Sequence, residues 1–66
     1  MTLDKARDLL QTQADFGGFY NRHGAKLILA EVMREHGQVS VDQLIVELNL
    51  GEIFQFQPGD VFEPPS

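Results

Sequence analysis

The apolar positions at the start of the chain recur three and four residues apart. Leu3, Ala6, Leu9 and Leu10 fall on one side of a helical wheel, with Gln13 closing the stripe, while Arg7, Asp8 and Gln11 fall opposite. That is the pattern of an amphipathic helix. Thr2 precedes the stripe as a potential N-cap, and Asp4 lies in the first turn, where the helix dipole favours an acid. The helix is predicted to run to about Ala14. Gly17 and Gly18 then break the pattern, since a glycine costs about 1 kcal/mol inside a helix relative to alanine and takes positive φ readily.

A second helix is predicted from Phe19 to His36, with Gly37 as its stop. Ala25, Ile28, Leu29 and Val32 form its main stripe, Leu27 lies on another side between Glu31 and Arg34, and Ala30 and Met33 fill a third sector. Arg22, His23, Lys26, Arg34 and Glu35 are left pointing outward. A helix apolar on so many sides is either central among others or shared between two subunits.

The segment VSVDQL predicts the start of a third helix: Ser40 as N-cap with Gln43 three residues on makes a capping box, and Val39 can reach Leu44 as a hydrophobic staple. Val41, Leu44, Ile45 and Leu48 then face inward and Val46 stays partly exposed. The helix is expected to end near Leu48, with room for a short fourth turn from Glu52 to Phe54. Beyond it, Phe54 and Phe56 alternate with Gln55 and Gln57, and Pro58-Gly59 fits the centre of a type II turn. An isolated two-stranded hairpin is marginal in water, so the stretch reads as an extended tail whose phenylalanines pack on the helices. Pro64 and Pro65 end the chain without regular structure. The expected fold is therefore all-α: a small three-helix domain over residues 1–51, with a short fourth turn, and an acidic, Phe-rich extended tail over residues 52–66.

At 66 residues there is one domain, and a core of this size is only marginally able to hold the chain folded. The usual staples are missing. There is no cysteine to form a disulfide. The two histidines, His23 and His36, lie about 140° apart around one helix, so they cannot close on one metal ion; no metal and no cofactor is expected. A second copy of the chain or another protein becomes the favoured way to complete the core, with well-ordered helix packing within the chain as the other route. No run of 18 apolar residues is present, and the opening MTLDKARDLL mixes both charges, so neither a membrane span nor a signal peptide is expected, and the expected location is cytoplasmic.

The net charge of −5 is unevenly placed. Residues 1–41 are balanced, and the whole excess lies in Asp42, Glu47, Glu52, Asp60 and Glu63, in a stretch with no basic side chain. Such an end repels phosphate backbones and disfavours nucleic acid as a partner. Candidate contact residues lie elsewhere. DFGGFY places Phe16, Phe19 and Tyr20 around the glycine bend, either covering the core or serving as aromatic anchors for a partner. Arg22, His23 and Lys26 cluster at the start of the second helix, against the dipole, and call for compensation by the acidic end of this chain, a twin subunit, an acidic partner or a phosphate. His36 reads as a structural residue at a helix end. Glu31 and Glu35 lie one turn apart, but acid–base work needs an enclosing pocket, no nucleophile set accompanies them, and the Gly-Gly pair lacks the rest of a phosphate loop. No enzyme activity is expected.

The stretch EHGQVSVDQLIVELNL resembles the G-x-V-S-x-x-x-L pattern that opens many helix-turn-helix and winged-helix DNA-binding domains. The resemblance covers Glu35 to Leu50. It implies a recognition helix on the third helix or just after it. On the third helix the exposed positions are Asp42, Gln43, Val46 and Glu47, and the following LGEIFQFQPG holds no basic residue; both suit phosphate poorly. The expected function is a non-catalytic protein-interaction or regulatory module acting as a homodimer. Its contact residues are Phe16, Phe19, Tyr20, Arg22, Lys26, Leu27 and Met33, with Leu27, Ala30 and Met33 forming the second surface of the central helix. The alternatives are a small helix-turn-helix-like transcription regulator, and an acidic inhibitor or accessory subunit docking on a larger protein.

Overall fold

The computed structural model describes residues 1–16 and 21–63, and these hold four helices and no strand. Helix α1 spans Leu3–Phe16. Its start is the one the sequence signals: the Lys5 backbone N–H donates to Thr2 Oγ1 at 3.1 Å, and Ala6 N–H to the Thr2 carbonyl at 3.0 Å. Ala6 and Leu10 are fully buried, with Leu3 and Ala14 packed beside them. The helix runs two residues beyond the expected end, and Phe16 at its tip is 78% exposed. Gly17, Gly18, Phe19 and Tyr20 lie outside the described residues, and with them the predicted bend and two of the aromatic anchors.

Helix α2, Arg22–His36, supplies the centre of the core through Ala25, Leu29, Ala30 and Val32. It crosses α1 closely at Gly24, where an added Cβ would stand 3.1 Å from Gln13 Oε1. Ala30, expected on a second surface, is instead buried, and Met33 packs against the edge of the core. Both are small or flexible enough to lie under a neighbouring helix, so two of the three apolar sectors of α2 are used within the chain. Leu27 alone of the three stays exposed, at 40%.

Gly37 joins α2 to α3, Gln38–Glu47, in a single residue. With φ +91° and ψ 179°, its N–H closes α2 on the carbonyls of Val32 and Met33 while its own carbonyl accepts the Val41 N–H at 3.3 Å. This overturns the predicted capping box: the helix begins at Gln38, Ser40 lies within its first turn, and no side chain caps the start. Val39 is no staple; it is 73% exposed. The reason is steric: the glycine geometry turns the chain directly from one helix into the next, leaving no extended residue for a Ser40 cap to occupy. Val41, Leu44 and Ile45 face inward as the pattern requires.

Asn49, left-handed at φ +59°, separates α3 from the short α4, Leu50–Phe54, and its side-chain amide donates to Glu52 Oε2 at 3.0 Å. The fourth helix thus starts two residues before the expected turn, burying Leu50 and Phe54. Gln55 is left-handed too, at φ +64°, a conformation that costs a side chain on the order of 1 kcal/mol. It reverses the chain, and the backbone of Phe56 passes so close to Gly51 that an added Cβ there would meet the Phe56 carbonyl at 3.0 Å.

Residues 56–63 have no regular structure and lie across the helices, as expected of the tail; Pro64 and Pro65 lie outside the described residues. Phe56 and Phe62 are 2% and 6% exposed. Phe54, Phe56 and Phe62 form a continuous ring contact, Phe56 tilted on Phe54 at 5.8 Å between centroids and edge-on to Phe62 at 5.2 Å. The predicted turn is present: Asp60 N–H donates to the Gln57 carbonyl at 3.0 Å, with Gly59 at φ +97° in the position that type II geometry gives to glycine.

Candidate functional site

Two sets of contacts hold the C-terminal segment to the helices, and between them they shape the surface. At the start of α2, the Arg22 Nε–H donates to the Phe54 carbonyl at 2.9 Å while its guanidinium lies over the Phe56 ring, 5.1 Å from the centroid. At the start of α3, Asp42 Oδ1 accepts the Gly59 N–H at 2.8 Å and the Gln38 side-chain amide at 2.8 Å. The same Gln38 nitrogen reaches the Asp60 carbonyl at 2.9 Å, and Asp60 Oδ2 accepts the Gln57 N–H at 2.9 Å. The Gly59 N–H, followed by the Gln38 amide, holds the Asp42 carboxyl below its usual range.

Alongside this segment runs an open groove of about 440 Å³. One wall is α2, with His23, Lys26 and Leu27; the other is Val61, Phe62 and Glu63. Phe62 is the buried floor, and Val61, 69% exposed, faces solvent on the rim. Each wall carries one sign of charge, cationic on α2 and acidic on the segment. A shallower hollow between α1 and α3 is lined by Arg7, Asp42, Gln43, Val46 and Glu47. There Arg7 bridges the helices, pairing with Glu47 and, at 2.9 Å, with Asp4, and the Glu47 contact raises its already high pKa.

The expected contact residues divide accordingly. Lys26 and Leu27 meet in the groove. Arg22, expected to point outward, is instead half-buried and turned onto the C-terminal segment, because a carbonyl and a ring face are within its reach. Met33 belongs to the core edge, Phe16 stands at the far tip of α1, and Phe19 and Tyr20 lie outside the described residues. The residues missing from that set are His23, Val61, Phe62 and Glu63. Their signal in the sequence was a charge balance, cations on early α2 against an acidic end, which named the acidic end of this chain among several candidates without placing Val61 and Phe62 beside α2.

Several other charged groups are engaged elsewhere. Arg34 pairs with Glu31 at 2.7 Å and Glu35 at 3.7 Å. Glu35 also binds the Met1 ammonium, the main cause of its lowered pKa, and His36 Nε2–H donates to the Met1 carbonyl at 2.8 Å. His36 therefore ties α2 to the N-terminus rather than closing its own helix. Among the described residues no three His, Cys, Asp or Glu side chains are grouped to hold a metal ion, and no helix is long and apolar enough to cross a membrane. Set against known proteins, the chain matches no family model, no curated protein and no solved structure.

Proposed function

We propose that this chain is a non-catalytic protein-interaction module that pairs with a second copy of itself through the groove between α2 and the C-terminal segment. The observation that carries the reading is the groove's own composition. Leu27 and Val61 are exposed together on its rim, with Lys26 on one wall and Glu63 on the other. A two-fold pairing is self-complementary: what one copy offers, the other receives. Lys26 of each copy then faces Glu63 of the other around a covered apolar centre, and the exposed leucine and valine leave water together.

A duplex nucleic acid fits this surface poorly. Three of the five basic side chains are already bound, Arg7 and Arg34 to carboxylates and Arg22 to a carbonyl and a ring. The exposed positions of α3 are Val39, Gln43, Val46 and Glu47, which offer phosphate no cation.

Light scattering across a dilution series tests the reading. The wild type is expected at twice the 7.4 kDa chain mass, falling toward one chain on dilution. Leu27→Glu, which sets a carboxylate beside Glu63, is expected to shift that transition to at least tenfold higher concentration while circular dichroism stays helical. A wild type that stays at one chain mass up to millimolar concentration contradicts self-pairing.

A further inference from the structure

We propose that the two copies pair by exchanging their C-terminal segments, so that residues 55–63 of each chain lie in the trough between α2 and α3 of the other. The inference rests on the self-pairing reading and differs from a pairing of closed subunits in placing the contact in the trough beneath the segment rather than over the exposed rim of the groove. The trough has one occupant whose fit is known in atomic detail, and a second copy carries the same one. Phe56 and Phe62 fill it, Arg22 takes the ring of Phe56, and Asp42 and Gln38 take the backbone of Gly59 and Asp60. Every one of these contacts can form within one chain or between two.

What favours the exchange is the hinge. The segment leaves α4 through Gln55, a non-glycine residue held at φ +64° to fold the chain back on itself. An exchanged segment continues outward instead of reversing, so Gln55 returns to the extended backbone that its side chain prefers. Val61 and Glu63, which form the outer wall of the groove, then belong to the other copy, and the two walls of the groove come from different subunits.

Substitutions at Gln55 test this, because the residue is exposed and its side chain makes no hydrogen bond or ion pair among the described residues. Gln55→Gly removes the strain of the closed form, and Gln55→Val increases it, since a β-branched residue is least tolerated at positive φ. Each dimer relieves two hinges, so the dimer dissociation constant, read by light scattering on the full chain, is expected to rise roughly 30-fold in Gln55→Gly and to fall several-fold or more in Gln55→Val. A dimer equally stable in all three proteins, yet dissolved by Leu27→Glu, overturns the exchange and leaves a pairing of closed subunits. A chain that is monomeric in wild type and in Gln55→Val overturns the exchange together with the self-pairing on which it rests.

Discussion

The helical half and the C-terminal segment both bury apolar side chains in one core but hold their backbones in different ways. In α1, α2 and α3 the main-chain hydrogen bonds run along each helix, and the core residues Ala6, Leu10, Leu29, Val32, Val41 and Ile45 need only to pack. The segment after Gln55 has no such ladder. Its peptide groups are held by side chains from α3, Asp42 on the Gly59 N–H and Gln38 on the Asp60 carbonyl, and its Phe56 ring lies under Arg22 of α2. The lesson is that burial alone does not make one cooperative unit. A region fixed by a few polar clasps and two rings can leave while the helices keep their own hydrogen bonds.

The largest expected effects set the two regions apart. Leu29→Ala opens a hole among three helices and is expected to lower global stability by about 3 kcal/mol, with the denaturation midpoint falling for every probe. Phe62→Ala removes a side chain of comparable size, but its loss is expected mainly in the segment: the resonances of residues 56–63 shift toward random coil while the far-ultraviolet helical signal holds. Equal loss of helix in both variants breaks the distinction.

Arg22→Met comes next. It keeps the stem of the side chain and removes both the hydrogen bond to Phe54 and the cation over Phe56, for an expected loss of about 1–2 kcal/mol in the docking of the segment. The measurement is local amide exchange at Phe56, whose N–H reaches the Leu50 carbonyl at 3.4 Å.

The smallest effect is a pH dependence. Asp42 has a lowered folded pKa because its carboxylate accepts the Gly59 N–H and the Gln38 amide. Its contribution is therefore complete above the unfolded carboxylate value of about 3.9 and is lost as pH falls through the folded value. Glu35, lowered chiefly by the Met1 ammonium, loses its contribution over the same direction of pH but acts between α2 and the N-terminus. Asp42→Asn keeps the acceptor oxygen and removes the charge. It is expected to weaken docking slightly at neutral pH and to flatten the acid limb for the segment, leaving the acid response of α1 and α2 as in wild type; an unchanged limb for the segment contradicts the clasp.

How far the sequence discloses this division follows from the range of the interactions. The stripe of α1, the Thr2 cap, the Gly37 stop and the Pro58-Gly59 turn depend on neighbours within a few residues, and all are legible. The three tail phenylalanines are legible as packing residues because they have no other use in so small an acidic chain. Ser40 misleads because a capping motif describes a helix entered from an extended chain, and here α3 is entered from Gly37 at φ +91°. Arg22 reads as a solvent-facing cation because its partners lie 32 residues and more downstream, at Phe54 and Phe56. The groove is hidden for the same reason: its walls are His23 to Leu27 and Val61 to Glu63, and no local pattern pairs them.

Native-state hydrogen exchange tests the division most directly. The amides of Gly59 and Asp60, bonded to Asp42 and to the Gln57 carbonyl, are expected to exchange through an opening markedly cheaper than that of Leu29, Val32 and Ile45, and with little dependence on denaturant, as a local release exposes little surface. Exchange of both groups with one common free energy and one common denaturant dependence contradicts it, and makes the segment an inseparable part of a single folding unit.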